Sequence, residues 1–224
     1  MIKLQHVSKI YGKDIVALDD IDLSFNEGEL VILKGVSGSG KSTILSLIAG
    51  LLKPTSGDVL VDNKHISKLP DHFCSQYRRD NIGFIFQKYN LIPTLSVKDN
   101  ILLPLVPLNL DEDDLYAKLE AVTQMFSIEH KKEIIVKNLS GGEQQRTAIA
   151  RANVNNPKII LADEPTANLD EKLSKEFIQI LKELKSLKKT IIVATHDPLF
   201  FDLDFVDRII EIHNGKLDRK VACS

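Results

Sequence analysis

The sequence predicts an α/β fold, in which a mostly parallel sheet is covered by helices and interrupted by an inserted helical segment. Three observations carry the prediction. Residues 30–33 (LVIL), 159–162 (IILA) and 190–194 (TIIVA) are continuous apolar runs, the pattern of strands covered on both faces. Segments with helix-spaced apolar residues lie between them. From residue 88 to 156 the strand–helix alternation stops and helical spacing dominates. The expected organisation is one domain over 1–224, with a core of 1–87 and 157–224 and a helical subdomain of 88–156.

The elements follow in order. Residues 2–7 (IKLQHV) and 21–25 alternate apolar and polar side chains, as half-buried strands do. The run at 30–33 enters a Gly-rich loop. Residues 44–52 then carry helix-spaced apolar side chains and stop near Lys53-Pro54. A short strand is expected at 59–61, and another at 81–86 (NIGFIF) that ends at Gln87. Helices are expected over 115–126 and 140–154. The strand at 159–162 follows Pro157 and ends in Asp163-Glu164. Residues 172–187 form an amphipathic helix on Phe177, Ile178, Leu181 and Leu184. The strand at 190–194 precedes His196. Residues 209–217 read as a closing hairpin, because Asn214-Gly215 suits a tight turn.

Composition narrows the function. Apolar residues make up 43% of the chain, enough for a core without disulfide or metal staples. Lys plus Arg number 29 and Asp plus Glu 31, for a net charge of −2. A basic excess is missing, so no nucleic-acid partner is expected. Cys74 and Cys223 lack metal-ligand spacing and read as two reduced thiols. The opening MIKLQHVSK has no apolar signal core. The longest apolar stretch, 101–110, is broken by Pro104, Pro107 and Asn109 and is too short to cross a bilayer. Work at a membrane would need another chain to supply the membrane part.

Gly35, Val36, Ser37, Gly38, Ser39, Gly40, Lys41 and Ser42 fit G-x-x-x-x-G-K-[ST], with Thr43 next. Glycines let the backbone wrap until its N–H groups face phosphate oxygens. The helix that follows adds the positive end of its dipole. Lys41 is placed for the β/γ phosphates and Ser42 for Mg²⁺. An incidental Gly-rich turn would match in roughly one chain per hundred, and a buried strand before the loop and a helix after it lower that further. The loop alone states only that nucleotide phosphate binds, since kinases, GTPases and motor ATPases share it. Asn63-Lys64-His65-Ile66 begins the N-K-x-D pattern that reads guanine but lacks its aspartate, and reads as a surface turn.

Leu139-Ser140-Gly141-Gly142-Glu143-Gln144-Gln145-Arg146 discriminates further. Ser140 as N-cap with Glu143 three residues on forms a capping box, which on the bland reading is a well-started helix. That reading leaves the glycine pair unexplained unless something approaches the backbone there. A serine hydroxyl, bare N–H groups and a helix dipole make a second phosphate site. Two such helix ends in one chain point to two molecules that sandwich ATP.

LSGGE placed between the phosphate loop and ILADEP resembles the ATP-binding cassette (ABC) ATPases, with the motifs in family order over essentially the whole chain. The resemblance implies a P-loop NTPase (RecA-like) core with a mostly parallel sheet, an antiparallel β subdomain and an inserted α-helical subdomain. It implies ATP and Mg²⁺ as ligands. Lys41 and Gly35 to Thr43 would hold phosphates, and Ser42, Gln87 and Asp163 would hold the metal. Glu164 would orient the attacking water and His196 would contact the γ-phosphate. Tyr11 resembles the aromatic that stacks on adenine, its bland reading being a surface aromatic. Asp170 resembles the aspartate that couples two sites across a dimer. Ser140, Gly141, Gly142 and Glu143 would face the nucleotide of a second copy. The other histidines (His6, His65, His72, His130, His213) read as surface residues.

The expected partners are a second copy of the chain and an integral membrane permease on a separate chain, which would place the protein at the cytoplasmic face of the inner or plasma membrane. The stretches SGSGKSTILSLIAGLLKPTSG, IGFIFQKYNLIPTLSVKDNILLPL and ADEPTANLD are most similar to the macrolide-export, lipoprotein-release and FtsE-type cell-division branch. An importer subunit is the alternative, and a DNA-repair-type ATPase a more distant one, since the chain has neither long coiled coils nor appended domains. Asn153 stands where the family usually has an aliphatic residue. The Leu-, Ile- and Pro-rich segment 88–110 is expected to offer an apolar groove to a short helix of the membrane partner.

Overall fold

The protein is described from a computed structural model covering residues 1–167 and 169–218. Asn168 in the predicted turn and Cys223 lie outside the described residues. Two sheets organise the chain. The first is four-stranded and built from β1 (Ile2–Tyr11), β2 (Ile15–Phe25), β4 (Ser56–Val61) and β5 (Lys64–His65), in the order β2-β1-β4-β5 with antiparallel pairing throughout. The second has six strands: β3 (Leu30–Lys34), β6 (Ile82–Ile85), β7 (Ile159–Asp163), β8 (Thr190–Thr195), β9 (Arg208–His213) and β10 (Lys216–Leu217). Its order is β10-β9-β3-β8-β7-β6, and all neighbours are parallel except the closing β9–β10 hairpin. The predicted α/β class and antiparallel β unit are both present.

Side-chain alternation along the central strands builds two cores, one on each face of the parallel sheet. Leu30 and Ile32, Ile160 and Ala162, and Ile191 and Val193 enter one core, with Phe126, Ile149, Phe177 and Leu181 from the covering helices. Val31 and Leu33, Ile159 and Leu161, and Ile192 and Ala194 enter the other, with Ile44, Leu45 and Ile48 of α1 (Lys41–Ile48) and Leu4, Leu18 and Phe25 of the antiparallel sheet. This double burial is why the three strands read as unbroken apolar runs.

Between β6 and β7 the chain forms α3 (Val97–Leu102), a 3-10 segment Leu103–Leu108, α4 (Glu112–Met125) and α5 (Gly141–Asn153), with a single bridge, Ser96 to Ile135. Ile101, Leu119, Val122 and Val136 of this stretch share one core with the parallel sheet. Asn100 is fully buried there; its amide donates to the Ile92 and Ser96 carbonyls at 3.1 and 3.0 Å and accepts from the Ile92 N–H at 2.7 Å, which folds the loop 92–96 around it. Asn153 is also buried, and its amide donates to the Ile149 carbonyl at 2.9 Å. A polar residue at this aliphatic position is thus satisfied by the turn below it.

The structure departs from the sequence reading in several places, among them β2, which starts at Ile15 rather than residue 21. Helix α1 begins at Lys41 and ends at Ile48, earlier at both ends than 44–52, because Gly50 at φ 62° turns the chain away. Helix α2 (Asp71–Asn81) has no counterpart in that reading: DHFCSQYRRDN buries only Cys74 and carries no apolar stripe. The 63–66 segment is a turn at Asp62-Asn63, both at positive φ, followed by the two-residue strand β5. The sixth helix, α6 (Glu171–Ser186), matches its predicted amphipathic pattern.

Candidate active site

Three parallel strands end side by side. Lys34 of β3 pairs with Thr195 of β8, and Ala194 pairs with Asp163 of β7. Their carboxyl ends form the edge at which open α/β sheets bind ligands. Gly35 follows β3, Glu164 follows β7 and His196 follows β8, so three segments far apart in sequence converge.

The loop from Gly35 to Gly40 leads into α1. Gly40 is its N-cap at φ 109°, a conformation closed to side-chain-bearing residues, and a Cβ there would stand 2.7 Å from the Ala17 carbonyl. A glycine cap also leaves the first N–H groups of α1 without a side-chain acceptor. Helices α3, α4, α5 and α6 instead have them from Ser96, Asp111, Ser140 and Asp170. The Ser39 hydroxyl is buried without a hydrogen-bond partner. These open donors suit a phosphate.

Lys41 is 4% exposed, and its ammonium donates to the Gly35 and Val36 carbonyls at 2.7 and 3.1 Å. It also lies 3.2 Å from Glu164 Oε1. The other Glu164 oxygen is 3.0 Å from His196 Nδ1. Ser42 Oγ donates to Asp163 Oδ1 at 2.8 Å. Burial pushes the Asp163 carboxyl above its ordinary range, and the neighbouring Glu164 charge adds to this, while the Ser42 bond and Lys41 oppose it. Glu164 has φ 44°, a left-handed backbone that a non-glycine residue keeps only when its surroundings impose it. Its N–H donates to the Ala194 carbonyl at 2.8 Å. Gln87 is exposed, two residues past the Ile85–Ala162 pair that aligns β6 with β7. Tyr11 is 37% exposed at the tip of the β1–β2 hairpin, opposite Ile15. The same β2 strand brings Ala17 against Gly40, which sets Tyr11 on the loop's side of the molecule.

The α5 start is a complete capping box. The Ser140 and Glu143 backbones and side chains bond reciprocally, with Ser140 N–H donating to Glu143 Oε2 at 2.8 Å. That bond and Lys131, 3.0 Å away, hold the Glu143 carboxyl down at about 2. The two glycines have different reasons. A Cβ on Gly142 would stand 2.7 Å from the Leu173 side chain of α6, so a larger residue there would have to displace that side chain. Gly141 faces open space and stays accessible. Asp170 caps α6, accepting from the Leu173 N–H at 2.9 Å. Among the described residues, no hydrogen bond or ion pair joins Ser140–Glu143 to the loop at 35–43. The chain brings Lys41, Ser42, Asp163, Glu164 and His196 together and leaves the α5 end apart from them. The five remaining histidines are all exposed.

Two polar residues of α5 escaped the sequence reading. Gln145 is buried and donates to the Pro165 carbonyl at 3.0 Å. Arg151 donates to the Asn90 and Tyr89 carbonyls at 2.6 and 2.5 Å, just beyond Gln87. The available signal was a glutamine one turn before Ile149, on the helix face that Ala148 and Ile149 bury.

Comparison with known proteins agrees with this geometry. Residues 18–167 match the family model described as ABC transporter. An ABC transporter ATP-binding protein of Methanocaldococcus jannaschii, MJ0796, is 43% identical, covering 98% of this chain and 96% of that one. The HrtA protein of Staphylococcus haemolyticus, named as a hemin import ATP-binding protein, is 39% identical over 97% of this chain and 99% of its own. The macrolide export ATP-binding/permease protein MacB of Salmonella typhimurium is 40% identical over 97% of this chain, which spans 34% of MacB's length. The solved dimeric structure of MJ0796, described as a post-hydrolysis state bound to ADP and Pi, superposes with a TM-score of 0.89 at 42% identity, over 98% of this chain and 97% of that one. With the phosphate loop, the strand-end carboxylates and the capped glycine helix in this arrangement, the chain belongs to the ABC transporter family as one of its ATP-binding, ATP-hydrolysing cassettes.

Proposed function

We propose that two copies of this chain sandwich two ATP molecules, hydrolyse them to ADP and phosphate, and drive a separate membrane subunit. The observation that carries the reading is the charge relay at the strand ends, in which Lys41 faces Glu164 at 3.2 Å and Glu164 faces His196 at 3.0 Å. The nucleotide phosphates replace Glu164 as the counter-ion of Lys41, and the loop N–H groups take up the remaining charge. Glu164, released from Lys41, then accepts a hydrogen bond from the attacking water on the side held by His196. Ser42, Asp163 and Gln87 would hold Mg²⁺, which supplies charge neutralisation at the phosphates. The Ser42–Asp163 contact already pairs a hydroxyl with a carboxylate, a donor set suited to that ion. Tyr11 stacks on the base. Ser140 and Gly141 meet the γ-phosphate of the partner copy, and Asp170 lies where the two copies meet.

The division into a core and a helical subdomain of 88–156 belongs to the same reading. It is supported by the helices between β6 and β7, although they share one hydrophobic core with the sheet. No described helix is long and apolar enough to cross a membrane. In this reading, which rests on similarity to the ATP-binding part of MacB, the chain docks on a membrane subunit from the cytoplasmic face. The docking place is the groove of about 550 Å³ between α2 and the 3-10 segment, lined by His72, Gln76, Arg79, Ile82, Pro104 and Pro107. Similarity to MacB favours export or mechanical work, and similarity to HrtA keeps import as the second reading. Identification of the membrane protein that copurifies separates them.

Glu164→Gln tests the chemistry. Turnover should fall by orders of magnitude, while ATP stays bound and the dimer becomes stable enough to isolate by gel filtration. Near-wild-type hydrolysis would remove Glu164 from its role.

A further inference from the structure

We propose that Gln145 is a positioning residue for hydrolysis, which carries closure at the α5 N-terminus to Glu164 of the same chain. The inference rests on the sandwich reading above and adds a route between the two sites that one chain serves. Gln145 is 4% exposed and lies one turn inside the helix that Ser140 caps. Five residues at 1.5 Å each put it about 7.5 Å along the axis from Ser140. Its side-chain amide donates to the Pro165 carbonyl at 3.0 Å. Pro165 is the residue after Glu164 and has no N–H, so its carbonyl is the only main-chain group by which it can be held.

The turn after Glu164 is fastened on every side. The Glu164 N–H donates to Ala194 of β8 at 2.8 Å, and its carbonyl accepts from the Ala167 N–H at 3.2 Å. Thr166 Oγ1 donates to Asp197 Oδ2 at 2.8 Å, and Asp197 follows His196. Gln145 supplies the hold from α5. The far end of the same loop is also held by α5: Asp170 caps α6 through Leu173, and the Leu173 side chain packs closely on Gly142. A shift of α5 as a rigid rod, when its first turn takes up phosphate from the partner copy, is thereby delivered to both ends of the loop that carries Glu164. The positive φ of Glu164 makes its carboxylate sensitive to that hold, because the conformation persists only while the surroundings impose it.

Gln145→Met keeps the length and removes the donor. The expected result is a kcat lower by roughly 10- to 100-fold, the range for a misplaced catalytic group. KM for ATP stays within about twofold, and hydrolysis loses its cooperativity in ATP, consistent with loss of the link between sites. The Gln145→Met/Glu164→Gln double variant should still form the ATP-bound dimer at the ATP concentration that Glu164→Gln requires. Full kcat with retained cooperativity overturns the assignment. So does a parallel loss of kcat, dimer formation and thermal stability, which would mark Gln145 as packing alone. Should Gln145→Met fail to fold, Thr166→Val releases the same turn from the other side and must give the same kcat-selective loss, or the proposal fails. Absence of an ATP-dependent dimer in Glu164→Gln alone is a different result: it overturns the sandwich reading, and with it the closure that Gln145 is proposed to relay.

Discussion

Asp163 holds two demands in conflict. Its proposed service to a metal needs the ionised carboxylate, yet burial raises its pKa above the ordinary range. A carboxyl with a folded pKa above its unfolded value binds more protons in the folded state, so its contribution to stability falls as pH rises through that window. The penalty is absent below the unfolded pKa and fully present above the folded one. Asp163→Asn keeps an acceptor for the Ser42 hydroxyl and removes the charge. The nucleotide-free variant should therefore melt at a higher temperature than the parent at neutral pH, with the difference shrinking in acid, while Mg²⁺-dependent hydrolysis is lost. Thermal melts of both proteins from pH 4 to 8 measure this. The residues of this pair were legible in sequence because each follows an apolar run or a Gly-rich loop directly. The Lys41–Glu164 ion pair was not, since its partners are 123 positions apart and meet only across the sheet edge.

Three polar side chains of helix α5 make long-range contacts to loops and to a neighbouring helix. Gln145 reaches Pro165, Arg146 bridges the Phe126 carbonyl and Glu176, and Arg151 holds the carbonyls of Tyr89 and Asn90. Tyr89 and Asn90 both have positive φ, so the loop after Gln87 depends on that guanidinium for its shape. Hydrogen bonds to a charged group are worth about 1.5–3 kcal/mol. Arg151→Met should lower unfolding free energy by about 2 kcal/mol, read from urea titration. Sequence pattern located this helix and its capping box, since both are local. It could not show what the polar residues of the buried face hold, because their partners belong to other elements. For the same reason α2 was missed: with Cys74 its only buried side chain, it has no periodic signal, and the β6 edge and Tyr77 bonding the Ile48 carbonyl keep it in place.

At the scale of the whole molecule, the two helix ends proposed to bind phosphate sit on separate parts of one chain, and under that proposal a single copy leaves each without its complement. A dilute monomer should bind ATP yet hydrolyse it slowly, with specific activity rising with protein concentration. The proposed groove lies away from the strand edge, so its chemistry is separable from catalysis. Val106, 68% exposed on the 3-10 segment beside Pro104 and Pro107, is a suitable probe. Val106→Glu should leave ATPase activity of the isolated chain unchanged and abolish capture of the membrane subunit in a pull-down. The sequence by itself determined the fold class, the phosphate loop, the carboxylates at the strand end and the capped glycine helix, because each is set by contacts within a few residues or by strand and helix periodicity. Tertiary structure alone decided that Gly142 packs against Leu173, that Lys41 rests on Glu164, and that Gln145 and Arg151 tie α5 to the loops beside the site. Those facts depend on which distant segments the parallel sheet brings to one edge, and no local pattern encodes that juxtaposition.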